Sequence, residues 1–225
     1  EQATHEAYFS KSGRYFVDNY SRADLEPRSV LRDNKGKVIM ELASPDLTRL
    51  YETGWKMPEP FTVKAADGHT DLYGFMWKPF DFDSTRRYPI ISYVYPGPQT
   101  EAIPLEFSVT AAYNVGLAQI GFVVVTFGHR GGSPMRDKWY HTFGYNNLRD
   151  YPLADDKCGI EQLADRFSFI DKSKVGIFGH SGGGFMSTAA LCTYPDFYTA
   201  AVSSAGNHDN NIYNQWWGET HHGVR

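Results

Sequence analysis

The stretch Val175-Gly176-Ile177-Phe178-Gly179-His180-Ser181-Gly182-Gly183-Gly184-Phe185 decides the fold. Val175 to Phe178 read as an apolar strand, and Phe185 to Thr193 continue as a helix, with only glycine, histidine and serine between them. A strand that becomes a helix in so few residues must bend sharply. The residue at the bend, Ser181, is then held in strained dihedrals, and its neighbours must lack bulk: Gly179 lets the strand end close to the helix, and Gly183 lets the helix pass. The serine hydroxyl projects at the carboxyl end of the strand, and the amide of Gly182, at a helix N-terminus, faces a developing oxyanion. Ser181 is thus the candidate nucleophile and Gly182 a candidate oxyanion donor. The bland alternative is a glycine-rich turn with no nucleophile. A phosphate cradle fits less well, since no Gly-Lys-Ser/Thr follows and the glycine spacing is not that of a dinucleotide fingerprint.

Upstream of the elbow, strands alternate with helices: strand Tyr88 to Tyr95, helix near Leu105 to Gln119, strand Phe122 to Phe127, helix near Leu153 to Arg166, strand Lys174 to Phe178. The helix Gly182 to Thr193 and the strand Ala200 to Ser204 follow. Apolar strands such as Val123-Val124-Val125 between amphipathic helices imply a parallel sheet covered on both faces. Asp155 and Asp156 fall in the first turn of their helix, where macrodipole and capping account for them. A hairpin, Phe61 to Ala65 and Asp71 to Trp77 hinged at Asp67-Gly68, precedes this region. A short helix opening at Ser44-Pro45-Asp46 serves as linker.

Residues 5 to 42 read differently. Short runs of β-branched and aromatic residues between Gly, Asn and Asp turns describe consecutive antiparallel hairpins. Four such strands make one blade of a β-propeller, which implies neighbouring blades outside the chain.

Composition narrows the function classes. The 225 residues are 41% hydrophobic and 21% charged with a formal net charge of -4, as in a globular protein able to bury a core. No Lys/Arg run exceeds a pair, so nucleic acid is not an expected partner. The longest apolar run, Phe122 to Phe127, is far short of a membrane span, so no membrane partner is evident in this window. Cys158 and Cys192 are expected as buried free thiols rather than a bridge. The His221-His222 pair is read as surface or packing histidine, with no metal site and no cofactor expected.

Two further stretches carry a resemblance: Tyr93-Val94-Tyr95-Pro96-Gly97-Pro98-Gln99, at the end of the strand opened by Tyr88-Pro89, and Phe127-Gly128-His129-Arg130-Gly131. With the elbow, they make the chain similar to the prolyl oligopeptidase family of serine peptidases, most closely its dipeptidyl peptidase IV branch, over nearly the whole length. The resemblance implies that the Tyr95 hydroxyl completes the oxyanion hole, and that Tyr213 lies near the stretch lining a proline pocket. It also implies an acid where this chain has Gly128. The fold expected is α/β, an α/β-hydrolase fold without its last strands, preceded by antiparallel strands of a terminal β-propeller blade. Residues 1–43 would be the blade segment, 44–60 a linker helix and loop, and 61–225 the N-terminal part of the catalytic domain.

The implied activity is cleavage of peptide bonds through an acyl-enzyme, with release of N-terminal dipeptides after proline or a small residue. The rivals are an esterase or acylaminoacyl-peptidase-like hydrolase, and a non-catalytic hydrolase-like domain. In this fold an Asp and then a His follow the serine from loops after later strands. No histidine here meets that order, because His180 adjoins the serine and His208, His221 and His222 follow it too early. The Asp and His are expected beyond Arg225, and the 225 residues alone should be nearly inactive. By resemblance the partners are a peptide substrate and a second copy in a homodimer, and the compartment is periplasmic or extracellular.

Overall fold

The computed structural model describes residues 2–98, 100–147, 150–209 and 212–222. Two sheets organise them. The first is formed by β1 (Thr4–Phe9), β2 (Tyr15–Arg22), β3 (Leu25–Asp33) and β4 (Val38–Ala43), paired antiparallel in chain order. Tight turns close its hairpins, and Gly13 and Gly36 supply the positive φ that those turns require. Buried Asp18 is the polar anchor of this sheet, accepting hydrogen bonds from Arg32 Nε (2.7 Å) and the His5 ring (2.8 Å).

Beyond α1 (Thr48–Glu52) the second sheet begins with the antiparallel pair β5 (Glu59–Lys64) and β6 (Asp71–Trp77). The chain then runs through β7 (Tyr88–Tyr93), α2 (Asn114–Gln119), β8 (Val123–Phe127), α3 (Lys138–His141), α4 (Leu153–Arg166), β9 (Ile170–His180), α5 (Gly182–Thr193), β10 (Tyr198–Ser204) and α6 (Gln215–His222). The sheet order is β10-β9-β7-β8-β6-β5, with β8, β7, β9 and β10 mutually parallel. An antiparallel hairpin leading into parallel strands, with β7 and β8 exchanged in order, is the α/β-hydrolase arrangement. The first sheet has the antiparallel form of a propeller blade. Central strand β8 is wholly buried, because helices cover both faces. Val63, Leu72, Ile90, Val125, Phe127, Ile160 and Ile177 form the main core. Among the described residues no helix is long and apolar enough to cross a membrane.

Several elements depart from expectation. The helix foreseen over Leu105 to Gln119 is limited to α2, since Ala111 (φ 44°) and Ala112 (φ 57°) are left-handed and cannot continue a right-handed helix. The linker helix starts at Thr48 rather than at Ser44-Pro45-Asp46, and the Asp46 carboxylate accepts from the Thr48 amide at its entrance. Both cysteines are free, but Cys192 is exposed and Cys158 half-buried, so neither is the buried thiol expected.

Asp155 and Asp156 lie in the first turn of α4, as expected, but macrodipole and capping do not account for them. Both are fully buried, and Pro152 occupies the cap position with no side-chain hydrogen bond. Asp155 accepts from the Arg130 guanidinium (2.7 Å), the Arg130 amide (3.0 Å) and the Ala66 amide (2.9 Å). Asp156 accepts from Ser92 Oγ (2.7 Å) and the Tyr198 hydroxyl (2.8 Å), and it meets the buried His129 ring at 3.2 Å. Burial and the neighbouring Asp156 charge push the Tyr198 hydroxyl well above the ordinary tyrosine range, so it remains a donor. These carboxylates fasten α4 to β7, to β10, to the turn between β5 and β6, and to the loop after β8.

Candidate active site

Ser181 sits between β9 and α5 at φ 54° and ψ -117°, a conformation that a residue bearing a side chain adopts only when its surroundings impose it. Two backbone hydrogen bonds hold it there: its amide donates to the Ser204 carbonyl (2.8 Å), and its own carbonyl accepts from the Phe185 amide (3.0 Å).

The four glycines around the serine are required by space rather than by dihedral angle. A Cβ on Gly179 would lie 2.6 Å from the Gly183 Cα, and one on Gly183 would lie 3.0 Å from the Val94 carbonyl carbon. One on Gly182 would meet the Pro96 carbonyl oxygen at 2.6 Å, and one on Gly184 would meet the Gly206 amide at 3.0 Å. The elbow is therefore pressed against the end of β7 and the loop after it, which brings Tyr95 beside Ser181. Gly182 opens a helix of 12 residues, so its amide has no partner one turn back and is available to an anion.

One cleft gathers these groups. Tyr95, Pro96, Gly97, Pro98, Tyr151, Ser181, Gly182, Phe185, Asn207, Tyr213 and Trp217 line it. All four residues singled out from the sequence, Ser181, Tyr95, Gly182 and Tyr213, are in this set. Tyr213 stands edge to face with Trp217 (5.3 Å between ring centroids), and Trp217 likewise with His221 (4.9 Å), a ladder at spacings of four that leads from the preceding bend into α6. Trp217 was legible in principle from its spacing of four after Tyr213. Tyr151 and Asn207 come from separate loops and Phe185 from the first turn of α5, and only the tertiary fold unites them.

The histidines near the serine are committed elsewhere. The His180 ring lies 3.0 Å from Ser204 Oγ, and exposed His208 leans on Phe185. The side chain of His222 lies outside the described residues. Among those residues, no group of His, Cys, Asp and Glu is arranged to hold a metal ion.

Behind the cleft, Gly128 and Gly132 make room for another group. A Cβ on Gly128 would lie 2.6 Å from the Tyr140 hydroxyl and 2.9 Å from Glu101 Oε1, and one on Gly132 would lie 2.9 Å from Glu101 Cδ. The Tyr140 hydroxyl donates to Glu101 Oε1. Tyr151 packs its ring against Gly144, whose Cβ would come within 2.9 Å of it, and against Gly131 on the other side. Burial, followed by the Glu101 charge, raises both tyrosine hydroxyls well above their ordinary range, so both stay protonated at neutral pH.

The sequence model of the prolyl oligopeptidase family matches residues 107–224. The chain is 33% identical to dipeptidyl peptidase 8 of Mus musculus over 218 residues, covering 90% of this chain and 23% of that protein. It is 34% identical to the Homo sapiens dipeptidyl peptidase 8 over 149 residues, covering 66% of this chain and 16% of the other. Among solved structures, a Bacteroides ovatus protein assigned as a dipeptidyl aminopeptidase IV superposes with a TM-score of 0.88 at 29% identity, over 100% of this chain and 32% of its own. Porphyromonas gingivalis dipeptidyl peptidase 4 shares the fold at a TM-score of 0.83 and 24% identity. The chain thus spans less than a quarter of the length of the two dipeptidyl peptidases 8.

Proposed function

Because the chain belongs to the prolyl oligopeptidase family of serine peptidases, we propose that it carries the nucleophile and oxyanion hole of a peptidase that releases N-terminal dipeptides after proline or a small residue. The observation that carries this reading is the strained Ser181 at the floor of a cleft shared with Tyr95 and Gly182. Ser181 Oγ adds to the peptide carbonyl carbon and loses its proton to a general base, as a serine nucleophile requires. The carbonyl oxygen becomes an oxyanion that accepts from the Gly182 amide and the Tyr95 hydroxyl. Collapse breaks the C–N bond, the amine leaves with the proton, and water hydrolyses the acyl-enzyme by the same route.

Tyr213, Trp217 and Phe185 line the same cleft as Ser181, an aromatic lining suited to a flat, apolar residue such as proline at the acyl side. In this reading residues 1–43 are the last-blade segment of a β-propeller, 44–60 a linker helix and loop, and 61–225 the N-terminal part of the catalytic domain.

In the intact protein a fluorophosphonate should label Ser181, and Ser181→Ala should abolish labelling and lower turnover by orders of magnitude while substrate affinity changes little. Labelling that survives the substitution would sink the assignment. Turnover of a Gly-Pro anilide well above that of simple esters supports the dipeptidyl reading, and the reverse order supports the esterase.

A further inference from the structure

Glu101 lies on the segment that continues from Tyr95 through Pro96, Gly97 and Pro98. That segment folds back on itself, with the Thr100 amide donating to the Gly97 carbonyl (3.4 Å). The Glu101 carboxylate is half-buried and lies over two glycines, 128 and 132, whose missing side chains create its place. Its partner, the Tyr140 hydroxyl, belongs to a ring that is itself fixed. The Arg136 guanidinium stacks 3.9 Å from the ring centroid, and the Tyr140 carbonyl accepts from the Gly131 amide at 2.7 Å. Arg136 in turn donates to the Asp71 carbonyl (2.7 Å) on β6. A carboxylate a few residues after Tyr95 is therefore tied to the body of the sheet.

A half-buried carboxylate costs solvation and persists where a specific donor repays it. A carboxylate at position 128 could not share this space, because its first carbon would overlap Tyr140 and Glu101. The carboxylate in this space is instead Glu101, arriving from the Tyr95 side. The difference is mechanical. An acid on the 127–131 loop is fixed to that loop alone, whereas Glu101 ties the Tyr95 loop to it.

We propose that Glu101 is a positioning residue for Tyr95: anchored on Tyr140 across Gly128, it holds the Tyr95–Glu101 loop at the distance from Ser181 that the oxyanion needs. The proposal rests on the reading of Tyr95 as an oxyanion donor. Rate is sensitive to such placement, since a displacement of about 1 Å costs about a hundredfold.

The test is a double-mutant cycle on kcat and KM with a Gly-Pro anilide, in the intact enzyme. Tyr95→Phe should lower kcat about a hundredfold or more with little change in KM. Glu101→Gln, of equal size and uncharged, should lower kcat about tenfold with KM within about twofold, as expected for a fraction of that displacement. Glu101→Gln combined with Tyr95→Phe should be no slower than Tyr95→Phe alone, because Glu101 acts only through that hydroxyl. Tyr140→Phe should reproduce the Glu101→Gln defect and not add to it, which keeps the test open should one of the two fail to fold. Fully multiplicative losses, or Glu101→Gln and Tyr140→Phe both within about twofold of wild type, would overturn the positioning role. Wild-type turnover by Tyr95→Phe would instead overturn the oxyanion reading beneath it.

Discussion

Ser181 is legible because its signature lies within a few residues: an apolar strand, a helix, and glycines where the turn admits no Cβ. The obstacles come from distant parts of the chain. They are backbone atoms of Val94, Pro96 and Gly206 rather than movable side chains. Gly183→Ala should therefore cost about 1 to 3 kcal/mol by overpacking, and turnover should fall further than stability, because the Val94 carbonyl that must yield adjoins Tyr95. Chemical denaturation and kcat measured together on the variant check this, and unchanged values for both would refute it. Gly182 is read from the same local grammar, whereas Tyr95 rests on the family resemblance of its loop. Glu101, Tyr151 and Asn207 were not legible, for each is an ordinary loop residue whose meaning arises from what another loop leaves open.

Elements were read well where pattern and packing agree, as in α4 and α5, and poorly where a backbone device intervened. Between Leu105 and Tyr113 the composition allows a helix, yet two left-handed alanines end it before it starts. Asp155 and Asp156 illustrate the opposite failure, in which a sound local rule was overridden by burial against Arg130, Ser92 and Tyr198. In the antiparallel sheet, Asp18 offers a test of such a buried carboxylate. Burial alone would raise its pKa, but hydrogen bonds from His5 and Arg32 outweigh it and hold the carboxyl below its usual range. A depressed pKa contributes stability that is full above the unfolded value of about 3.9 and is lost as pH falls through the folded value. Asp18→Asn should accordingly lower the melting temperature at pH 7, by about 2 to 4 °C for each kcal/mol lost. The gap from wild type should close as the pH falls below about 4. A gap that stays constant from neutral to acid pH would show that the charge contributes nothing.

The molecule as a whole joins two sheets of unlike character. The antiparallel sheet exposes Tyr8, Phe9, Ile39, Met40 and Leu42, and β4 has no buried residue. Its apolar surface is incompletely covered, and its outer strands carry unpaired backbone groups. A peptide of residues 1–43 should show no cooperative thermal transition by circular dichroism, and a sharp transition would refute its dependence on neighbours. Two hydrogen bonds bind this sheet to the loop after Glu101: Thr4 Oγ1 donates to the Leu105 carbonyl (2.9 Å), and the Phe107 amide donates to Ser21 Oγ (3.2 Å). The jammed glycines of the elbow also determine how such an enzyme could diverge. Single codon changes at 179, 182, 183 or 184 put carbon where main chain already stands, so a lineage retains that stretch or loses the chemistry. On the proposed reading, a change of diet would come through the side chains of Phe185, Tyr213 and Trp217 that line the cleft, which leaves the reaction inherited and the menu free to drift.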